Sequence, residues 1–209
     1  IILDNRGIGE STVASYDDPI TIELMAQDTI ALIKHLGIKR FNLFGTNMGA
    51  RIAFAVASDL PSDLKLEKLV VSTCAPRIDT SSEAFQGFEK LYKVKSLPFA
   101  TTIQEQKDQL LGGKHEKDLA KYLLEHPDKL ERVAEMMINT NPKRPTELLK
   151  RQWEAIKTYD LFSRLKEIKV PTLVFYGEND VFFTIKDAEL LDQELPNSKL
   201  YRISNAGYA

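Results

Sequence analysis

A tight turn bracketed by glycines constrains the fold of this chain more than any other feature. Residues 40–44 are typical of a strand, the turn that follows reads Gly45-Thr46-Asn47-Met48-Gly49, and residues 50–60 are typical of a helix ended by Pro61. So short a turn crowds the strand against the helix, and the flanking positions must lack bulk. The residues that provide this room are Gly45, Gly49, Ala50, Ala53 and Ala57. The segment predicts a strained strand–turn–helix unit with Asn47 at its centre.

Strands and helices are predicted to alternate on both sides of this unit. Apolar residues recur at helical spacing over residues 21–36, and Gly37 supplies a stop signal. The other predicted elements are strands at 1–3, 66–73, 171–176 and 199–203 and a helix at 185–195. The third strand has a continuous apolar centre, Leu69-Val70-Val71, typical of a parallel strand covered on both faces. This order predicts an α/β fold with a mostly parallel sheet and flanking helices.

The segment between residues 77 and 169 interrupts the alternation with charged amphipathic helices. Glycines and prolines divide it into about four helices. Thr80 with Glu83, and Thr102 with Glu105, have the spacing of capping boxes. We therefore expect a core formed by residues 1–76 and 170–209, with an inserted helical cap formed by residues 77–169.

Composition excludes several classes of function. The 209 residues include 28 basic and 30 acidic side chains, a net charge of −2, so no basic field attracts nucleic acid or an anionic membrane. No apolar run approaches the ~18 residues of a membrane span. The one cysteine, Cys74, cannot form an intrachain disulfide and fits a reducing compartment, so we expect a cytoplasmic protein. Neither metal-ligand spacing nor a phosphate-binding glycine loop is present, so we expect no metal and no cofactor.

Three further segments carry motifs in a fixed order around the turn at 45–49. Residues 4–11 read D-N-R-G-I-G-E-S, residues 171–180 read P-T-L-V-F-Y-G-E-N-D, and residues 205–209 read N-A-G-Y-A. They resemble the D-x-R-G-x-G-x-S loop, the P-T-L-V-x-x-G-x-x-D segment and the final histidine loop of the α/β-hydrolase fold superfamily, whose G-x-S-x-G nucleophile elbow the turn resembles. The resemblance covers the whole chain and is closest to the capped esterase and enol-lactonase-like group.

This resemblance implies roles for four residues. Asn47 occupies the nucleophile position, Asp180 the acid position and Tyr208 the histidine position of a catalytic triad, while Met48 N–H supplies half of an oxyanion hole. An amide has no ionisable proton near neutral pH, so Asn47 cannot replace an activated hydroxyl. Tyrosine, with an ordinary pKa near ~10, is a poor general base at pH 7. Asparagine does tolerate positive φ, and its side chain could cap the helix that follows.

These departures predict a degenerate triad. We expect a protein of esterase or lactonase-like ancestry, with little or no hydrolase activity, that binds a small apolar or ester-like ligand under the cap. One alternative is an active hydrolase of carboxylic ester or related bonds, in which Asp180 or Tyr208 acts on a bound water. Another is an altered or partial sequence of an active parent. No feature of the sequence supports a third alternative, a structural or interaction protein that uses the surface of the cap.

Other chemistry-bearing residues are better explained by structure than by catalysis. Without a histidine to orient, Asp180 is expected to be either a solvated loop carboxylate or a residue that forms a turn. His35 lies at a helix C-terminus, which favours a positive side chain. His115 and His126 lie on charged cap helices and are not expected to reach the turn at 45–49. Cys74 follows a buried strand and is expected to be a small core residue.

The resemblance also bears on the length of the chain. It implies that residues 1–3 form the family's fourth strand. In the family, the third strand lies between this strand and the one that corresponds to residues 40–44, and a helix follows the final loop. The family's third strand and this last helix would both be missing here. We therefore expect the 209 residues to be a portion of a longer polypeptide, or a second chain to complete the sheet.

Overall fold

The computed structural model describes residues 1–15, 17–82, 85–86, 89, 100–112, 117–140, 146–180 and 182–207. Within them the strands are β1 (Arg40–Thr46), β2 (Lys65–Ser72), β3 (Thr172–Gly177) and β4 (Ser198–Ile203). The helices are α1 (Ile22–His35), α2 (Met48–Ser58), α3 (Ile103–Gly112), α4 (Lys117–Glu125), α5 (Pro127–Thr140), α6 (Thr146–Thr158) and α7 (Ile185–Glu194). A 3-10 helix spans Phe162–Glu167.

The strands of the described residues form one parallel sheet in the order β1-β2-β3-β4. Within β2, Leu69 is in register with Leu43 of β1 and with Thr172 of β3. Leu69 and Val71, which share one face of β2, are completely buried, whereas Val70 between them is only partly buried, so the prediction of a strand equally covered on both faces is wrong. The predicted α/β class with a parallel sheet is confirmed.

Helices pack on this sheet through their apolar faces. α1 begins after its N-cap Thr21, whose hydroxyl accepts a hydrogen bond from Leu24 N at 3.1 Å. It ends before Gly37, which has a φ of +66° and so serves as the predicted stop signal. α2 packs on β1 and β2, α1 packs on α2, and α7 packs on β3 and β4. Phe54 of α2 is completely buried in the core cluster that these elements share.

The strand predicted at residues 1–3 is wrong. These residues have no strand structure, and Ile1 and Ile2 are 88% and 99% exposed. A parallel strand requires a neighbour that takes up its backbone hydrogen bonds, and no strand of the described residues pairs with this segment. Apolar composition alone is therefore not sufficient to form a strand here.

The segment between β2 and β3 contains α3–α6 and the 3-10 helix in its described parts. The capping box predicted at Thr102 is confirmed, because its hydroxyl accepts from Glu105 N at 3.2 Å while Glu105 Oε2 accepts from Thr102 N at 3.3 Å. Glu83, the partner predicted for Thr80, lies outside the described residues. α3 contacts α4 and α5, whereas Leu148 of α6 belongs to the main core cluster. Among the described residues, no helix combines the length and the apolar character needed to cross a membrane.

Candidate functional site

The turn from β1 into α2 is strained at Asn47, as predicted. Its φ is +53° and its ψ is −119°, a sparsely populated combination for a residue other than glycine. Backbone hydrogen bonds hold it there, since Asn47 N donates to Ser72 O and Asn47 O accepts from Ala50 N, both at 3.1 Å. The expectation that the Asn47 side chain caps α2 is wrong, because it makes no capping hydrogen bond. A capping side chain usually needs an extended backbone, which Asn47 lacks.

The two glycines of the turn have different structural roles. A Cβ atom on Gly45 would lie 2.6 Å from Gly49 C and 2.8 Å from Ala50 N, with Gly49 O closer still. All three atoms belong to the backbone of the turn and of α2, so the contact cannot be relieved by rotation of a side chain. Among the described residues, a Cβ on Gly49 would meet no atom within 4 Å outside its own helix. The crowding prediction is therefore confirmed at Gly45 and wrong at Gly49.

A cavity of about 220 Å³ opens beside Asn47. It lies at the carboxyl ends of β1 and β2, where ligands of open α/β sheets commonly bind. Thr73, which follows β2, has a φ of +47° and places its Oγ1 2.7 Å from Thr46 Oγ1. The lining residues used below are Asn47, Arg51, Thr73, Cys74, Arg77, Asp79, Trp153, Ile156, Phe182, Phe183 and Asp187.

Asp180 lies in the loop that follows β3. Its Oδ1 accepts hydrogen bonds from Phe182 N at 2.8 Å and Phe183 N at 3.0 Å, so the carboxylate forms the expected turn. Its Oδ2 is buried and has no hydrogen-bond partner among the described residues. Burial raises the pKa of this carboxyl, although the two backbone hydrogen bonds oppose the shift. Of the two alternatives expected for Asp180, the structure therefore supports the turn-forming residue and not the solvated carboxylate, and Oδ2 accepts no hydrogen bond from the described residues.

Of the other two residues of the implied site, the structure describes Met48 but not Tyr208. Met48 is the first residue of α2, and its N–H is one of the first-turn donors that have no acceptor within their own helix. Its side chain packs partly buried against the core. Tyr208, the residue at the histidine position, lies outside the described residues.

The histidines of the described residues do not line the cavity. His35 is exposed at the end of α1. His126 lies between α4 and α5, where its Nδ1 is 2.8 Å from Tyr122 O and its ring stacks on the Tyr122 ring with centroids 4.2 Å apart. His115 lies outside the described residues. Neither His35 nor His126 is placed to act as a base at Asn47.

Cys74 lies in the cavity wall but is not activated. Its side chain is buried, and burial raises the pKa of its thiol to about 11, an effect that the charge of Arg51 only partly opposes. The interpretation of Cys74 as a core residue is confirmed, since it belongs to the main core cluster.

Arg51 is the cavity residue that the sequence analysis missed. It lies on α2, one helical turn after Asn47, and is only 3% exposed. Its Nη2 donates to Ala75 O at 2.8 Å. The signal available in the sequence was a single arginine within an otherwise small and apolar helix. In the part of the chain that the structure describes, no group of three or more His, Cys, Asp or Glu residues is arranged to hold a metal ion.

Two curated relatives align with nearly all of this chain. It is 24% identical to monoacylglycerol lipase ABHD6 of Bos taurus over 218 residues, which cover 100% of this chain and 61% of that protein. It is 27% identical to 2-hydroxy-6-oxononadienedioate/2-hydroxy-6-oxononatrienedioate hydrolase 2 of Pseudomonas putida over 213 residues, 93% of this chain and 67% of that protein. The chain therefore spans about two thirds of the length of these relatives.

Solved structures and a family model agree with these relatives. The structure superposes on the enol-lactonase from Burkholderia xenovorans LB400 with a TM-score of 0.71 and 26% identity, covering 96% of this chain and 70% of that chain. Residues 1–208 match the sequence model described as the alpha/beta hydrolase fold. This chain therefore belongs to the α/β hydrolase fold family, within which its relatives include lipases, hydrolases and lactonases.

Proposed function

We propose that this chain descends from an esterase or lactonase, has little or no hydrolase activity, and binds a small apolar or ester-like ligand in the cavity beside Asn47. The observation that carries the proposal is Asn47 itself. It occupies the strained turn between β1 and α2, with a φ of +53° and a ψ of −119°. In the family's G-x-S-x-G motif this position holds the nucleophilic serine.

Chemistry separates Asn47 from the residue it would replace. A serine hydroxyl loses its proton to a base as it attacks, whereas an amide nitrogen has a delocalised lone pair and no proton that a base can remove at neutral pH. The elbow and the Met48 N–H persist without the group that attacks the substrate. Loss of one triad member alone typically costs several orders of magnitude in turnover.

The environment of Asp180 supports the same proposal. In a working triad, the acid accepts a hydrogen bond from the histidine ring and orients it. Asp180 Oδ2 is buried and lacks a hydrogen-bond partner among the described residues, as expected where the orienting task has been lost. We place Tyr208 at the histidine position by its motif, and a tyrosine does not supply a base of ordinary strength near pH 7.

The cavity is suited to a small ligand. Its volume of about 220 Å³ exceeds the ~150 Å³ of an engineered cavity that accepts benzene. Trp153 and Ile156 of α6 line it together with Phe182 and Phe183, so much of the wall is apolar. We propose that residues 77–169 act as a cap, which supplies part of this wall to the core of residues 1–76 and 170–209. The single buried cysteine agrees with a cytoplasmic protein.

An esterase assay tests the proposal directly. Hydrolysis of p-nitrophenyl acetate and butyrate is measured for the wild type, Asn47→Ser, Tyr208→His and the double variant. We expect wild-type turnover at the level of the buffer blank, and turnover in the double variant at least about 100-fold higher. Asn205→Ser is the matched control, because Asn205 also has a positive φ of +58° but does not line the cavity. Wild-type turnover comparable to that of the double variant would show that the chemistry is intact.

The open oxygen of Asp180 favours a second candidate, an active hydrolase in which this carboxylate takes a proton from a bound water. A buried carboxylate with a raised pKa is a stronger base than an exposed one. The pH–rate profile of any wild-type hydrolysis should then lose its acidic limb in Asp180→Ala. A profile unchanged in both Asp180→Ala and Tyr208→Phe would count against this candidate.

A further inference from the structure

Among the described residues that line the cavity, Arg51 supplies a deeply buried positive charge. Arg51 is 3% exposed, lines the cavity and donates through Nη2 to Ala75 O at 2.8 Å. A guanidinium has five N–H donors, and within the described residues this carbonyl is its only hydrogen-bond acceptor. None of the described carboxylates lies within ion-pair distance of it. A buried charge without a counter-ion is costly, so the arrangement calls for an anionic partner.

The two carboxylates that share the cavity wall are engaged locally. Asp187 Oδ2 accepts from Thr184 N and Thr184 Oγ1, both at 2.8 Å, within the capping box that begins α7. Asp79 Oδ1 accepts from Ser81 N at 2.9 Å and from Ser81 Oγ at 2.6 Å. Both aspartates therefore stabilise their own turns and leave the guanidinium of Arg51 without a contacting anion.

The other residues that line the cavity determine the chemical character of the rest of the ligand. Trp153, Ile156, Phe182 and Phe183 form an apolar wall of the same cavity. A ligand that satisfies both features has a negatively charged end and a compact apolar body. A planar carboxylate fits a guanidinium best, since the two groups form paired N–H···O hydrogen bonds.

We propose that the cavity binds a small aromatic or alkyl carboxylate, with its carboxylate on Arg51 and its apolar body against Trp153 and the two phenylalanines. This inference rests on the proposed ligand-binding function and specifies the class of ligand. It assigns Arg51 as the residue that selects an acid over a neutral analogue of the same shape.

Trp153 offers a direct readout of binding. It is the only tryptophan of the chain, it lines the cavity, and its indole N–H donates to Glu89 Oε1 at 2.7 Å. The full 209-residue chain is titrated with phenylacetate and, separately, with phenylacetamide, while the fluorescence of Trp153 is recorded. Charged hydrogen bonds predict that the wild type binds the acid about 10- to 100-fold more tightly than the amide.

Variants identify the residue responsible. Arg51→Met, which keeps the bulk but removes the charge, should reduce the preference for the acid to less than about threefold. Arg51→Lys should keep part of the preference for the acid over the amide, because a lysine keeps the charge but cannot form the paired hydrogen bonds. Arg202→Met is the matched control, because Arg202 lies on β4 outside the cavity and pairs with Glu189, so the full preference should remain.

The outcomes separate this inference from the proposed function. Equal affinity of the wild type for the acid and the amide overturns the assignment of Arg51 but leaves a ligand-binding cavity. Absence of any saturable response to either probe overturns both. Loss of the preference in Arg77→Met, but not in Arg51→Met, transfers the role to the exposed arginine at the cavity wall and overturns the proposal. The comparison of the two probes on the wild type decides the issue even if Arg51→Met does not fold.

Discussion

Substitution of each glycine of the β1–α2 turn by alanine should have opposite effects on stability. In Gly45→Ala, the new Cβ would lie 2.6 Å from Gly49 C and 2.8 Å from Ala50 N, and closer still to Gly49 O. Ordinary carbon contacts lie at about 3.5–4.0 Å, so the strand and the helix would have to separate by about 1 Å. In Gly49→Ala, the new Cβ meets no atom of the described residues within 4 Å outside the helix.

These geometries give the size of each effect. Forcing an extra carbon into a packed site costs typically ~1–3 kcal/mol of unfolding free energy. Replacing glycine by alanine within a helix instead stabilises by up to ~1 kcal/mol, because the alanine backbone has less conformational freedom to lose. The two variants should therefore differ by about 1–4 kcal/mol in unfolding free energy. Each kcal/mol shifts the melting temperature by about 2–4 °C in a domain of 150–250 residues.

Urea unfolding followed by circular dichroism and by Trp153 fluorescence measures the difference. Gly49→Ala serves as the matched control, since the same methyl group is added four residues away in the same turn. Gly45→Ala should unfold at a lower urea concentration than the wild type, and Gly49→Ala at an equal or higher one. Stabilities within ~0.5 kcal/mol of each other, at equal denaturant dependence, would refute the idea that backbone crowding requires Gly45.

Three further predictions follow from single side chains. Burial raises the pKa of the Asp180 carboxyl in the folded state, so the protonated form favours folding and that contribution is lost as the pH rises through the folded-state pKa. The unfolding free energy of Asp180→Asn relative to the wild type should therefore increase from about pH 3 to about pH 7, and a constant difference in urea titrations would contradict this. Cys74, with a pKa of about 11, should react with a disulfide reagent at pH 8 roughly 100-fold more slowly in the native chain than in urea, and equal rates would contradict its burial. Thr184→Ala removes the two hydrogen bonds that the Thr184 hydroxyl makes with Asp187, one accepted from Asp187 N and one donated to Asp187 Oδ2, and leaves the bond from Thr184 N in place. It should lower the unfolding free energy by ~1 kcal/mol, measured by urea unfolding.

Local signals predicted most of the fold. The helical periodicity over residues 21–36 predicted α1, and its ends agree with the cap at Thr21 and the left-handed Gly37. The apolar centre of β2 predicted a parallel strand, and β2 pairs in parallel with β1 and β3, although only the face with Leu69 and Val71 is completely buried. These features are predictable because caps, stop signals and burial patterns depend on residues only a few positions apart.

The errors arose where distant residues decide the outcome. Residues 1–3 have a strand-like composition but no neighbouring strand among the described residues. Gly49 looked as necessary as Gly45, yet only Gly45 faces the backbone of the following helix. The sequence left Asp180 as either a solvated carboxylate or a turn-forming residue, and the packing of the loop after β3, which buries Oδ2, decides for the second.

The sequence by itself determined the chemistry available at the turn, because the absence of a hydroxyl or thiol at Asn47 is a property of the residue alone. It also determined the order of strands and helices around that turn. Only the tertiary structure decided that Arg51 lies 3% exposed in a cavity beside Asn47, together with an aromatic wall from α6 and from the loop after β3. The burial of Arg51, and the lack of a counter-ion to it among the described residues, depend on segments about 100 residues apart along the chain, and folding alone brings these segments together.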